Sequence, residues 1–225
     1  MQDKQNMRGS FAQAARVIMA LLLVLGTHYA APAYSAPKAI LVLGDSLSAE
    51  YGLPRGSGWV SMLENRLRHE KFDRPLVNAS ASGETTSGGK TRLPALLQRH
   101  RPGIVILELG GNDGLRGLSL AATQANLREM IKLSNAAGAQ VLLLGMQVPP
   151  NYGADYSKRF AALFQTLGKE PGVRLVPFLL AGLDDVEKFF QPDRIHPNKE
   201  AQTVMLENVW PGLKTVLKEN RKSGS

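Results

Sequence analysis

Short aliphatic runs alternate along the chain with longer segments in which apolar residues recur every three or four positions. Such short runs are typical of strands, and the wider spacing is typical of helices. The pattern predicts strands at residues 40–43, 76–77, 104–107, 141–144 and 174–178. It predicts helices at residues 59–68, 85–100, 123–137, 156–169 and 201–217. Strand and helix therefore alternate from residue 40 to the end of the chain.

The clearest strands contain no polar alternation, which indicates that they are buried on both faces. Alternating strands and helices of this kind favour a parallel α/β sheet covered by helices. Five strands suit a flavodoxin-like three-layer sandwich with the strand order 2-1-3-4-5 and helices on both faces. In such sheets ligands bind at the carboxyl ends of the strands, so we expect the chemistry in the segments that follow them.

The first 33 residues have a different pattern. Three basic residues and one acid precede an uncharged apolar run at 17–26, which is followed by small residues including Ala31 and Ala33. This order is typical of a secretory signal peptide, with cleavage after Ala33. The alternatives are a buried N-terminal helix and an uncleaved anchor. We expect a periplasmic or secreted protein without a stable membrane anchor, in which residues 34–225 form one domain.

Composition narrows the chemistry further. The 225 residues include no cysteine, which excludes disulfides, a thiolate nucleophile, cysteine zinc sites and a lipid-modified N-terminal cysteine. The net charge of +8 becomes +6 when the signal peptide is removed. The bases are scattered and lack an accompanying aromatic platform, so the sequence predicts no nucleic-acid partner. We expect a monomer.

Four polar or glycine-rich segments carry the candidate chemistry, at residues 44–48, 78–85, 110–113 and 193–197. Among the four histidines, His196 is distinguished by the carboxylate of Asp193 three residues upstream. That carboxylate can hold one ring nitrogen and leave the other free as a base. Ser46 follows the first strand and needs such a base to become a nucleophile. The alternatives are a surface Asp–His pair and a serine that caps a helix.

Two further residues are candidates for binding a developing oxyanion. Gly83 allows close backbone approach of its N–H, and Asn112 supplies a side-chain amide after a pair of glycines. The alternatives are an ordinary turn glycine and a turn or cap asparagine. Together with Ser46, Asp193 and His196 they make the set that acyl transfer requires, and this chemistry needs no metal and no organic cofactor.

These motifs resemble the four blocks of the SGNH, or GDSL, hydrolases, in the same order. The blocks are Gly44-Asp45-Ser46-Leu47, Gly83, Gly111-Asn112-Asp113 and Asp193-x-x-His196-Pro197. Residues 78–85, 92–97, 108–117 and 150–153 are similar to the bacterial periplasmic thioesterase I / arylesterase / lysophospholipase subfamily. One departure is Glu50, where members of the family often have glycine. A carboxylate there would alter access to the site or repel anionic head groups.

The resemblance implies a role for each residue. Ser46 would be the nucleophile, His196 the general base and acid, and Asp193 its orienting partner. The backbone N–H groups of Ser46 and Gly83 and the side chain of Asn112 would form the oxyanion hole. The implied reaction is hydrolysis of carboxylic esters and thioesters through an acyl-enzyme, on substrates such as acyl-CoA-like thioesters, aryl esters and lysophospholipids.

The sequence is less informative about the substrate. The candidate walls of an acyl groove are Val148, Pro149, Pro150, Phe189 and Phe190, and the alternative is ordinary core packing. A carbohydrate O-deacetylase on the same fold stays open as a second function.

Two other folds fit the motifs less well. A non-catalytic flavodoxin-like binding or receiver domain would use Asp45 and Asp113 as a metal-dependent phosphoacceptor site, but it leaves Asp193 and His196 without a role. An α/β-hydrolase is excluded, because residues 44–48 lack the second glycine of its nucleophile elbow.

Overall fold

A computed structural model describes residues 38–222. Its five parallel strands are β1 (Ile40–Gly44), β2 (Leu76–Asn78), β3 (Ile104–Glu108), β4 (Gln140–Leu144) and β5 (Val173–Val176). They form one sheet in the order β2-β1-β3-β4-β5, which confirms the predicted order. The proposed signal peptide lies outside the described residues.

The helices are α1 (Trp59–His69), α2 (Thr86–His100), α3 (Gly111–Leu115), α4 (Leu120–Ala136), α5 (Ala154–Leu167), α6 (Val186–Phe189) and α7 (Ala201–Lys222). Residues Pro150–Tyr152 form a 3-10 turn. Between residues 38 and 222, no helix combines the length and apolarity that crossing a membrane requires.

Helices form two packed groups around the sheet. Helix α1 packs against α7, while α4 packs against both α2 and α5. Every residue of β1 and β3 is buried, as expected for central strands of a parallel sheet covered on both faces. Aliphatic side chains of these strands pack in the core with Trp59, Phe160, Phe164 and many aliphatic residues of the helices. The layered α/β fold is therefore the one that the sequence predicts.

Three local features differ from the predictions. Helix α4 begins at Leu120 rather than at residue 123, because the Ser119 hydroxyl caps it by accepting a hydrogen bond from the Ala122 N–H at 3.3 Å. The short helices α3 and α6 were missed, since segments of four or five residues with glycine or acidic residues carry little helical periodicity. No helix begins at Ser46: residues 46–52 form turns and α1 begins at Trp59, so the helix-cap interpretation is wrong.

Candidate active site

The chain reverses tightly directly after β1, in a segment that we call the Ser46 turn (residues 45–48). The Asp45 carbonyl accepts hydrogen bonds from the backbone N–H groups of Ser48 at 3.2 Å and Ala49 at 3.0 Å. One Asp45 carboxylate oxygen also accepts the Leu47 N–H at 3.0 Å. These local bonds give Ser46 its place at the carboxyl edge of the sheet, where the rule for parallel sheets predicts a ligand site.

A second segment, the His196 loop (residues 190–197), lies opposite Ser46. His196 Nε2 is 3.0 Å from Ser46 Oγ, and His196 Nδ1 is 2.7 Å from Asp193 Oδ2. The other oxygen of Asp193 accepts the backbone N–H groups of Ile195 and His196, each at 3.0 Å. Desolvation acts to raise the pKa of Asp193, but these hydrogen bonds and the nearby imidazole outweigh it and lower the pKa to about 2.

The contacts among Ser46, His196 and Asp193 allow His196 to act as a base towards the Ser46 hydroxyl. An ionised Asp193 holds the Nδ1–H tautomer of His196, so Nε2 presents its lone pair to the Ser46 hydroxyl. The imidazole can then accept the hydroxyl proton as the oxygen attacks an electrophile. The structure thus brings together Ser46, Asp193 and His196, which were selected from sequence segments almost 150 residues apart.

Two residues that the sequence analysis missed hold the His196 loop against the segment after the Ser46 turn. The Tyr51 ring lies beside the imidazole of His196, with ring centroids 4.3 Å apart. Gln191 Nε2 donates to the carbonyls of Tyr51 at 2.9 Å and Pro197 at 3.2 Å. Gly52 has φ of +69°, and a Cβ there would collide with the Gln191 side chain. That glycine was the only signal in the sequence, and it does not identify its distant partner.

The oxyanion candidates lie close to each other along a hydrogen-bonded path. Asn112 Nδ2 donates to Asp45 Oδ2 and to the Glu84 carbonyl, both at 3.0 Å. Gly83 directly precedes Glu84 and has φ of +79°, a backbone conformation that glycine adopts without strain. Both N–H groups of the Asn112 amide are therefore engaged before any substrate is present, so binding an oxyanion requires one of them to be shared.

Arg92 stabilises the loop that carries Gly83. Its Nε lies 2.6 Å from Glu84 Oε2, and its guanidinium also donates to the Ala79 carbonyl at 3.0 Å. From the other side, Arg116 donates to the Gly83 carbonyl at 3.2 Å. These bonds anchor the loop to helices α2 and α3 and restrict where the Gly83 N–H can point.

Two carboxyl groups are buried at the Ser46 turn, one from the turn itself and one from the end of β3. Asp45 is 1% exposed and Glu108 is not exposed at all. Burial raises the pKa of Asp45 to about 6, partly opposed by its bonds to Leu47 and Asn112. Burial, and then the charge of Asp45, raise the pKa of Glu108 well above its usual range. The receiver interpretation assigned Asp45 and Asp113 to a phosphoacceptor site, but Asp113 is bonded to Thr86 and Thr123 and Asp45 to Asn112.

Glu50 does not face the Ser46–His196 pair. Its carboxylate accepts hydrogen bonds from the N–H groups of Gly56 at 2.9 Å and Gly58 at 2.7 Å, and from the Ser61 hydroxyl at 2.8 Å. Desolvation opposes ionisation of Glu50, yet these bonds lower its pKa. Glu50 therefore braces the loop before α1, where the Gly58 cap has no side chain of its own.

A cavity of about 450 Å³ opens beside Ser46 and His196. Of the five predicted groove residues, Val148, Pro149 and Phe190 line it. Phe189 is not among the lining residues and packs against the core, with Lys188 over its ring, while Pro150 begins the 3-10 turn. The sequence analysis did not assign to the groove several apolar lining residues, namely Leu115, Phe178, Leu183, Val186 and Ile195. The lining also includes Asn112 but not Gly83.

Comparison with known proteins agrees with this site. The sequence model of the GDSL-like lipase/acylhydrolase family matches residues 42–204. Esterase TesA of Pseudomonas aeruginosa is 48% identical over 197 residues, covering 88% of this chain and 96% of that protein. A protein of Escherichia coli named thioesterase 1/protease 1/lysophospholipase L1 is 42% identical over 182 residues, covering 81% of this chain and 84% of that protein.

A crystal structure of TesA has a TM-score of 0.78 at 49% identity, and covers 80% of this chain and 99% of that one. The chain therefore belongs to the GDSL-like lipase/acylhydrolase family, which confirms the resemblance of its four sequence blocks.

Proposed function

We propose that this protein is a serine hydrolase that cleaves carboxylic esters and thioesters through an acyl-enzyme intermediate. The observation that carries the proposal is the continuous contact from Ser46 Oγ through His196 to Asp193, with distances of 3.0 Å and 2.7 Å. The Ser46–His196 distance allows proton transfer without rearrangement of the side chains, and the His196–Asp193 distance holds the imidazole in place for it. Membership of a lipase/acylhydrolase family supports the same reaction class.

In the first half-reaction His196 Nε2 takes the Ser46 proton while Oγ attacks the carbonyl carbon of the substrate. The imidazolium that forms is stabilised by the Asp193 carboxylate, which remains ionised because its pKa is about 2. The imidazolium then protonates the departing alcohol or thiol, which leaves an ester on Ser46. In the second half-reaction His196 Nε2 takes a proton from water as the water oxygen attacks the acyl carbon, and the imidazolium returns a proton to Ser46 Oγ as the acid product departs.

The tetrahedral intermediate places a negative charge on the former carbonyl oxygen. We assign its donors to the backbone N–H groups of Ser46 and Gly83 and to the Asn112 amide. Asn112 Nδ2 already donates to Asp45 and to the Glu84 carbonyl, so the oxyanion competes with one of these acceptors. A full negative charge is a stronger acceptor than the neutral carbonyl, so we expect Asn112 to give up its bond to Glu84.

The cavity supports an acyl chain as the group that binds beside Ser46. Its volume of about 450 Å³ lies in the range of small-molecule sites, and most of its lining side chains are apolar. Val148, Pro149 and Phe190 are the part of the wall that the sequence predicted. The relatives named above include an esterase and a thioesterase/lysophospholipase, and we extend both substrate classes to this chain.

A fluorophosphonate probe tests the nucleophile directly. We expect the wild-type protein to be labelled at Ser46 and the Ser46→Ala variant to stay unlabelled, with esterase turnover lower by about 10⁴-fold or more. Turnover of purified Ser46→Ala at the wild-type level would refute the assignment.

A series of p-nitrophenyl esters and acyl-CoA thioesters of increasing chain length tests the substrate class. We expect a clear optimum in chain length. A flat response would contradict an acyl groove, and activity restricted to acetylated glycans would identify a deacetylase instead.

We also propose that residues 1–33 direct export to the periplasm or the medium and are removed. Mass spectrometry of protein recovered from the periplasm should then show an N-terminus at Tyr34. Recovery of the full-length chain from the cytoplasm would contradict this. Size-exclusion chromatography with light scattering of the same material tests the expected monomer.

A further inference from the structure

Glu108 is a buried acidic residue for which the proposed reaction has no use. It ends β3, where it pairs in register with Gly44, the last residue of β1. One carboxyl oxygen accepts the Asp45 N–H at 3.2 Å and the Ser48 hydroxyl at 2.7 Å. Glu108 therefore contacts both ends of the Ser46 turn from a neighbouring strand.

Gly44 makes room for this contact. A Cβ at Gly44 would lie 2.7 Å from Glu108 Oε2 and 2.8 Å from Ser48 Oγ, closer than real Cβ atoms approach their neighbours. Gly44, the first residue of the Gly44-Asp45-Ser46-Leu47 block, is thus required because Glu108 occupies the space that a side chain would fill. Its φ is not in the left-handed region, so the requirement is space rather than backbone conformation.

The surroundings of Glu108 favour its neutral form. Its second oxygen, Oε1, accepts no hydrogen bond from the described residues, and the whole side chain is buried. An ionised carboxylate would leave a charge without compensation in the core. The buried carboxyl group of Asp45 lies nearby, and its charge disfavours a second charge on Glu108.

We propose that Glu108 is a positioning residue that, as a neutral carboxyl group, holds the Ser46 turn by accepting hydrogen bonds from the Asp45 N–H and the Ser48 hydroxyl. Asp45 in turn accepts from Asn112, so one buried carboxyl sets both the direction of the Ser46 hydroxyl and the place of an oxyanion donor. The proposal rests on the proposed role of Ser46 as nucleophile.

Glu108→Gln and Glu108→Leu separate this role from simple core packing. The glutamine is neutral and keeps both hydrogen bonds, from the Asp45 N–H and from the Ser48 hydroxyl, so kcat should stay within about threefold of wild type. The leucine fills similar space but keeps neither, and displacement of the turn should lower kcat and the rate of fluorophosphonate labelling by about 10²-fold with little change in KM. In Gly44→Ala the new methyl group displaces the Glu108 carboxyl group, so kcat and the labelling rate should fall by a similar factor.

Val105→Ala is the matched control, since it removes a fully buried side chain from the same strand without contacting the turn. It should lower the melting temperature but not the kcat of the folded fraction. The proposal is overturned if Glu108→Leu retains kcat, or if Glu108→Gln loses as much as Glu108→Leu, because a required charge is then indicated. If Glu108→Leu does not fold, Gly44→Ala and Glu108→Gln decide by the same criteria. Absence of Ser46 labelling in the wild-type protein would instead refute the proposed function.

Discussion

The two sides of the candidate site are built in opposite ways. Ser46 stands on a turn held from within the protein, by the buried Asp45 and by Glu108. His196 stands on a surface loop, where Asp193 is bonded mainly to its own loop and its side chain is 39% exposed. Burial raises the pKa of Asp45 to about 6, whereas hydrogen bonds lower that of Asp193 to about 2. The buried side fixes the position of Ser46, and the exposed side supplies the ionised carboxylate of Asp193.

Removing the charge on the exposed side should have the largest effect. Asp193→Asn keeps the size of the side chain but allows the wrong tautomer of His196, so we expect kcat to fall by up to about 10⁴-fold. The fold should be unchanged, because the loop is locally bonded and partly exposed. Steady-state kinetics and circular dichroism measure the two effects. A variant that keeps more than a tenth of wild-type kcat would contradict the role of Asp193.

On the buried side, Asn112→Ala should lower kcat by about 10²–10³-fold, the usual cost of one oxyanion donor. The same substitution removes a bond to Asp45 and a bond to Glu84, so the free energy of unfolding should also decrease, by about 1–3 kcal/mol. Kinetics with urea unfolding separates the two losses. Wild-type kcat with reduced stability would show that Asn112 is purely structural.

The opposite pKa shifts predict opposite dependences of stability on pH. Asp45 has its pKa raised from 3.8, so the folded protein retains a proton between about pH 4 and 6 that the unfolded chain has lost. Its contribution to stability is present below pH 4 and is lost as the pH rises through about 6. Asp193 has its pKa lowered from 3.8, so its contribution is present above pH 4 and is lost as the pH falls towards 2.

Urea unfolding of Asp45→Asn, Asp193→Asn and the wild type across this range checks both signs. Relative to wild type, Asp45→Asn should gain up to about 3 kcal/mol between pH 4 and 6, the equivalent of two pKa units. Asp193→Asn should instead lose stability relative to wild type as the pH rises from 2 to 4. Parallel curves for all three proteins would contradict the assigned shifts.

The smallest effect is expected where the two sides meet. Gln191→Ala removes two hydrogen bonds that hold Tyr51 and Pro197 together, so kcat should fall by about tenfold, at roughly 0.7 kcal/mol for each bond. KM should change little, because Gln191 does not line the cavity. Gln165→Ala, on the exposed surface of α5, is the matched control and should behave as wild type. An unchanged kcat in Gln191→Ala would mean that the contact is dispensable.

Two adjacent phenylalanines illustrate the limit of sequence reasoning. Phe189 and Phe190 were both expected in the groove, but α6 ends at Phe189 and Phe190 is extended, with φ of −116° and ψ of 158°. This change of backbone conformation directs the two rings differently, and only Phe190 lines the cavity. Hydrophobicity is the same at both positions, so composition and spacing contained no signal that distinguishes them.

The sequence alone was sufficient for the features that depend on local spacing. Uninterrupted aliphatic runs predicted buried parallel strands, the alternation of five strands with helices suited the order 2-1-3-4-5, and the end of the first strand marked Ser46. Asp193 and His196 were recognisable because they lie three residues apart, within the reach of one turn. Such features depend on spacing along the chain, and the physical rules that connect spacing to structure apply without knowledge of the rest of the fold.

The distant residues that support this chemistry could be identified only from the folded protein. Glu108 ends a strand 63 residues after Asp45, and Gln191 lies 140 residues after Tyr51. Glu50 was expected to affect the entrance of the site, but its carboxylate is satisfied by Gly56, Gly58 and Ser61. The direction in which a carboxyl or amide points is set by whichever partners the fold brings within about 3 Å, and many pairings satisfy the same sequence pattern equally well.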